Sequence, residues 1–238
     1  MLLDILYQDE YIVAVNKPSG LLVHRSWIDK DETIFALQLV RDQIGQYVYP
    51  IHRLDKPTSG VLIFALDKDS ARVMSEMFVN HNIKKEYLAV VRGYTKEDTI
   101  DYALSVILDK IADKGAKEDK EDQEASTHYK CLATLELPYP VSRYPVARYS
   151  LVHLIPTTGR KHQLRRHMKH IMHPIVGDTK YGRGEHNRLF REKFTIKQLL
   201  LTAFKISFIH PYTKKEIVIQ AQPDEAFETM FKLFKFSY

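Results

Sequence analysis

One short run carries more chemical potential than any other in the chain: His52-Arg53-Leu54-Asp55-Lys56-Pro57-Thr58-Ser59-Gly60. It sets a carboxylate among basic side chains, hydroxyls and turn formers, directly ahead of the apolar stretch 61–66. A polar loop on a rigid strand is the usual setting of an active-site residue. Arginine can grip a carboxylate through paired hydrogen bonds, and nearby Thr or Ser hydroxyls can donate to it. Held ionised and oriented in this way, Asp55 has the properties of a nucleophile. The competing reading is an Asx turn that only feeds the following strand.

A second concentration of polar chemistry lies at Arg160, Lys161, Arg165, Arg166 and Lys169. The 238-residue chain has a formal charge of +5 and a pI near 9.0, and this segment concentrates the excess, which argues for a polyanionic partner. Histidines 162, 167, 170 and 173 are interleaved with these cations, the last three at a spacing that can share a helical face. A metal site would place its cation among Lys and Arg, so we expect no metal there and read the histidines as part of a basic, nucleic-acid-facing surface. Trp27, with His24 and Arg25, fits either stacking on a base or packing on a sheet edge. Cys131 alternates with Ala133, Leu135 and Leu137 and reads as a packed thiol. A single cysteine excludes an intrachain disulfide and fits a reducing cytosol.

The elements that position these groups follow from periodicity. Residues 11–17 read as a strand closed by Pro18-Ser19-Gly20, and 33–44 as a helix capped by Thr33 and stopped by Gly45. Strands are expected at 61–66 and 87–91, with a helix over 70–80 between them. Segments 127–137 and 147–155 then follow one another without a helix, which favours antiparallel pairing. Strands at 199–209 and 216–221 flank the turn His210-Pro211-Tyr212-Thr213, and an amphipathic helix over 224–234 covers the sheet. The fold class is α+β, a mixed, mainly antiparallel sheet flanked by helices in one compact domain, with apolar content of 45% for its core. Residues 109–124, dominated by Lys, Asp and Glu, are expected to form a charged mobile surface insertion. Neither a signal peptide nor a transmembrane-length apolar run is legible, so a soluble cytoplasmic protein without membrane association is expected.

The loop His52-Arg53-Leu54-Asp55 with Thr58-Ser59-Gly60 resembles the catalytic motif of the RluA family of pseudouridine synthases. The resemblance continues in Asn16-Lys17-Pro18-Ser19-Gly20, Lys85-Glu86-Tyr87, Gly159-Arg160-Lys161-His162-Gln163-Leu164-Arg165 and His173-Pro174-Ile175-Val176-Gly177-Asp178. It implies a catalytic domain with its cleft across the sheet, in which Asp55 attacks the nucleotide at the anomeric carbon or through a glycal route. The freed uracil then turns and reattaches through C5, with no cofactor. Tyr87 takes the place of the tyrosine that stacks on uracil and helps remove the C5 proton. Arg165 pairs with the catalytic carboxylate, Leu164 lines the uracil pocket, and Arg53 fills the gap left in the RNA stack. His52, Arg160, Lys161 and Arg166 are assigned to substrate binding, and no obligatory protein partner is implied.

The first motif block lies close to the start of the sequence, so no N-terminal RNA-binding extension of the kind several ribosomal members of the family carry is expected. Residues 23–27 and 109–114 resemble the subgroup that modifies uridine-65 of tRNA, so tRNA is the expected partner and a 23S ribosomal RNA stem-loop the alternative. A catalytically silent RNA-binding protein is a further alternative, against which Asp55, Tyr87 and Arg165 all stand intact. A glycoside or nucleoside hydrolase could also use a carboxylate and a Tyr, but no convincing second catalytic acid is legible in this sequence.

Overall fold

The computed structural model describes residues 1–24, 32–107 and 121–237. Its strands are β1 (Ile5–Gln8), β2 (Ile12–Lys17), β3 (Tyr49–Pro50), β4 (Ser59–Ala65), β5 (Ile83–Arg92), β6 (Asp98–Asp101), β7 (Ser126–Leu137), β8 (Ala147–Pro156), β9 (Leu201–Ile209) and β10 (Glu216–Gln220). The helices are α1 (Ala36–Ile44), α2 (Lys68–Val79), α3 (Gln163–His170), α4 (Gly184–Phe194) and α5 (Glu225–Phe234).

All ten strands join one sheet, in the order β1-β2-β4-β9-β5-β8-β7-β6, with β10 on β9 and β3 on β4. Every pairing is antiparallel except β4 with β9, where Ser59 faces Thr202 and Gly60 faces Ala203. The mixed, mainly antiparallel α+β reading is therefore the observed one. Every residue of β4 is buried, as expected for a strand covered on both faces.

The alternation of side chains along each strand sorts the core into layers. Val13, Val15, Leu62 and Phe64 face α1 through Ala36 and Val40, whereas Ile12, Ala14, Val61 and Ile63 face α2 through Met74. In the other half, Ala89, Val91, Val152 and Leu154 pack on α3 through Leu164 and Met168. Leu88, Val90, Tyr149 and Leu151 pack on α4 and α5 through Phe190, Phe227 and Phe231. Tyr87 touches both the α1 layer and the α3 layer, so the seam between these two layers runs across the sheet beside it.

Several elements differ from expectation for local reasons. The first helix begins at Ala36, not at Thr33, and makes no side-chain cap bond. Its first amides are satisfied from a distance, since Ala36 N–H donates to Leu22 O (2.8 Å) and Leu37 N–H to Val23 O (3.0 Å). Strands β1 and β6 are four-residue edge pieces with little buried surface, and α4 buries only Leu189 and Phe190, so neither strands nor helix left a strong pattern. The C-terminal helix is capped as its sequence indicates, with Asp224 accepting from Phe227 N–H at 3.0 Å. Of the charged insertion, residues 109–120 lie outside the described residues. Its end is anchored, since Gln123 exchanges backbone hydrogen bonds with Leu104. Among the described residues, no helix is long and apolar enough to cross a membrane.

Candidate active site

Asp55 lies in the loop that enters β4, and its backbone carbonyl accepts from Thr58 N–H at 3.0 Å, closing a tight turn. A buckle from the end of β2 holds this loop. The fully buried Lys17 donates from Nζ to Pro18 O (2.9 Å), Leu21 O (2.8 Å) and Lys56 O (3.2 Å), while Gly20 N–H also reaches Lys56 O and Ser19 Oγ donates to Pro57 O, both at 2.8 Å. Three carbonyls match the three N–H bonds of an ammonium. Burial pulls the Lys17 pKa down to about 7, with the Asp55 charge opposing. Gly60 is needed where β4 meets β9: its φ is +108°, and a Cβ there would run into the backbone of Ala203.

Arg165 comes from α3, on the opposite side of the seam, and makes the central contact. Its Nη1 donates to Asp55 Oδ2 at 3.1 Å, and Nε and Nη2 grip Asp178 at 2.7 and 3.0 Å. Asp178, only 2% exposed, also accepts from the backbone N–H groups of Lys180 (2.8 Å) and Tyr181 (2.9 Å). Burial alone would push the Asp178 carboxyl up, but the Arg165 and backbone hydrogen bonds hold it below the usual carboxylate range. Burial likewise opposes the Arg165 charge, and the hydrogen bonds and charge of Asp178, with Asp55, outweigh it.

Tyr87 is aimed by a β-bulge, since the β5–β9 register shifts between Glu86 and Tyr87. Burial, reinforced by the Asp55 charge, raises its pKa and keeps the phenol protonated. Tyr87, Asp55 and Leu164 share a pocket with Arg53, Arg160 and His162. The expected catalytic set of Asp55, Tyr87 and Arg165 therefore converges on one cavity, with Leu164 in its wall and Arg53 exposed at its edge.

His162, Gln163 and Asp178 belong to this arrangement although sequence reasoning gave them no catalytic place. His162 sits at the start of α3 with φ +57°. Its Nε2 lies 3.8 Å from Asp55 Oδ2 and its Nδ1 is 2.9 Å from the Tyr181 hydroxyl. Burial lowers its pKa, Arg165, Lys180 and Lys161 add to that, and Asp55 opposes. Gln163 accepts from Thr158 Oγ1 (2.7 Å) and Arg160 N–H (2.9 Å) and donates to Ser126 O (2.9 Å), fixing the loop before α3. The signal for all three was membership of the same motif blocks.

Other expected site residues are placed elsewhere. His52 does not line the pocket: its ring stacks on Phe78 at 4.5 Å and its Nε2 accepts from Ile63 N–H at 3.0 Å, with burial lowering its pKa to about 3. Lys161 is exposed outside the pocket lining, and Arg166 is occupied by Ser105, through its carbonyl (2.9 Å) and hydroxyl (2.8 Å). The histidines do not form one basic face. His167 is buried between Thr127 Oγ1 and Tyr102 O, His173 binds Arg92 O at 2.8 Å beyond the end of α3, and His170 stacks on Tyr102. His167 and His173 are thus framework residues, satisfied by the chain itself. Arg25 and Trp27 lie outside the described residues.

Residues 11–170 match the family described as RNA pseudouridylate synthase. The chain is 57% identical over 235 residues to tRNA pseudouridine synthase C of Vibrio vulnificus, covering 98% of this chain and 96% of that protein. It is 56% identical over 234 residues to the protein of that name from Haemophilus influenzae, covering 98% of each. Among solved structures, human RNA Pseudouridylate Synthase Domain Containing 1 superposes with a TM-score of 0.71 at 25% identity, over 93% of this chain and 83% of that one. Human RNA Pseudouridylate Synthase Domain Containing 4 gives 0.73 at 24% identity, over 99% and 94%, and shares the fold.

Proposed function

Because the chain belongs to the RNA pseudouridylate synthase family, we propose that it isomerises uridine to pseudouridine in tRNA, at uridine-65, with Asp55 as the nucleophilic carboxylate. The observation that carries this reading is the Arg165 fork, which ties Asp55 to the buried Asp178 in the pocket that Tyr87 also lines. A carboxylate so aimed suits an oxocarbenium-like sugar centre, which it traps or stabilises and later releases.

The reaction changes which uracil atom is bonded to the sugar and leaves the atoms and the oxidation level of the nucleotide unchanged. Neither a redox group nor a group donor enters its balance. The target base must leave the stack, at a cost of about a few kcal/mol. Tyr87 and Leu164 give it a flat apolar wall, and the exposed Arg53 stands at the mouth, where it fits the gap in the stack. Since Tyr87 is held as a neutral phenol, its part in C5 deprotonation is that of a hydrogen-bonding relay rather than a standing phenolate. Arg160 and Lys161 serve the RNA backbone in this reading, and His52 serves the loop from behind. With a tRNA substrate, this reading has the enzyme working in the cytoplasm.

The test uses tRNA transcripts tritiated at uracil C5, with product mapped by carbodiimide-dependent reverse-transcription stops. Tritium release by the wild type, its absence with Asp55→Asn, and a single stop at uridine-65 are expected. Release from 23S rRNA fragments alone would replace the substrate. Tight RNA binding without release from either would replace the enzyme by a binding protein.

A further inference from the structure

A second cleft is lined by Tyr181, whose hydroxyl contacts His162 of the pocket. Arg92 at the end of β5, Lys169 on α3, and Lys180 and Arg183 in the loop before α4 line it around the Tyr181 ring. No carboxylate is among its lining residues, and none of these four cations forms a salt bridge among the described residues. Lys169 and Lys180 are gathered by the aromatic face instead, with Nζ atoms 5.8 and 5.5 Å from the Tyr181 centroid. Segments distant in sequence thus bring like charges together with no internal counterion, an arrangement that favours an anionic occupant.

The position of this cleft narrows the choice of anion. Tyr181 lines the cleft, its hydroxyl meets His162 Nδ1 at 2.9 Å, and His162 lines the pocket that holds Asp55. The Arg165 guanidinium sits 5.2 Å from the same ring while reaching Asp55. The pocket and the cleft are thus joined through the His162–Tyr181 pair. We propose that this cleft seats backbone phosphates of the RNA beside the extruded uridine, a proposal that rests on the reading of the pocket as an RNA-modifying site.

Lys169 and Arg183 are suited to the test, because their side chains line the cleft and form no hydrogen bond or ion pair with Asp55, Arg165, Asp178 or His162 among the described residues, whereas the charge of Lys180 bears on His162. The Lys169→Gln/Arg183→Gln double variant is compared with wild type in binding of the full-length tRNA transcript at several salt concentrations, and in single-turnover tritium release at saturating RNA. The expected result is weaker binding with a slope of log K against log[salt] shallower by about 1.5, since each lost phosphate contact removes roughly 0.7–0.9. Release at saturation stays within about twofold of wild type, because binding energy uniform in ground and transition states leaves kcat unchanged. A Lys169→Arg/Arg183→Lys variant keeps the charge and is expected to keep the wild-type slope, which separates charge from local disturbance. An unchanged slope and Kd in the Gln variant, while wild type turns over tRNA, would overturn the cleft and leave the reading of the pocket intact. Wild type that neither binds nor converts RNA would overturn both.

Discussion

Arg165 divides its guanidinium between carboxylates of unequal exposure, the buried Asp178 and the partly open Asp55. Asp178 therefore anchors Asp55, the nucleophile of the proposed reaction, although it does not line the pocket. Asp178→Asn is expected to slow single-turnover release on the order of 10²-fold, as misplacement of a reacting group does, with little change in Kd for RNA. Equal losses in both would show that Asp178 only supports the fold. Lys17 is the corresponding anchor on the other side. Lys17→Met removes the ammonium that joins the carbonyls of Pro18, Leu21 and Lys56, of which only Lys56 O keeps Gly20 N–H, and is expected to destabilise the protein by about 2 kcal/mol or more in urea unfolding. Much at this scale was legible, because motif blocks name residues whose chemistry is intrinsic: Asp55, Tyr87, Arg165 and Leu164 all meet. The roles of Lys17, His162 and Asp178 were not, because a supporting hydrogen bond depends on which distant segment arrives opposite. For the same reason His52, adjacent to Arg53 in the motif, turns out to face Phe78 and Ile63.

At the scale of elements, the site is made where β4 and β5 flank β9. Gly60 lets β4 approach Ala203, and the bulge at Glu86 and Tyr87 turns the aromatic ring to the pocket. Gly60→Ala meets both a left-handed backbone and a blocked Cβ position, so a loss of several kcal/mol is expected, read as a lowered urea midpoint, with activity falling with the folded fraction. A variant as stable as wild type would show that the β4–β9 junction yields easily. The strands and helices with strong alternation or helical period were legible to within a few residues. The edge strands β1, β3 and β6 were not, since short pieces held mainly by backbone pairing leave almost no hydrophobic pattern. The start of α1 was misplaced because its first amides are satisfied by Leu22 and Val23, which no local capping rule anticipates.

For the molecule as a whole, buried neutral histidines make stability depend on pH. Burial lowers His52 to about 3 and His186, bonded to the Tyr149 hydroxyl, to about 4, from an ordinary 6.5. Below pH 6.5 the unfolded chain takes up protons that these folded rings refuse, so their contribution is complete above 6.5 and is lost as pH falls towards the folded values. Each can steepen the loss by at most about 1.4 kcal/mol per pH unit. Urea unfolding at pH 7 and pH 5 is expected to show the decline, and His52→Asn to flatten it; an unaltered slope in that variant would remove His52 from the account. The overall α+β architecture was legible because antiparallel succession shows in the order of elements, whereas the β4–β9 junction was not, because its partners lie more than half the chain apart. That junction also orders events during synthesis. The strand that follows Asp55 leaves the ribosome long before β9, which alone joins it to the Tyr87 strand, and β9 begins only at Leu201 of 238 residues. The assembled pocket thus arrives only with β9, and a nascent or prematurely ended product carries Asp55 without the strand that joins it to Tyr87.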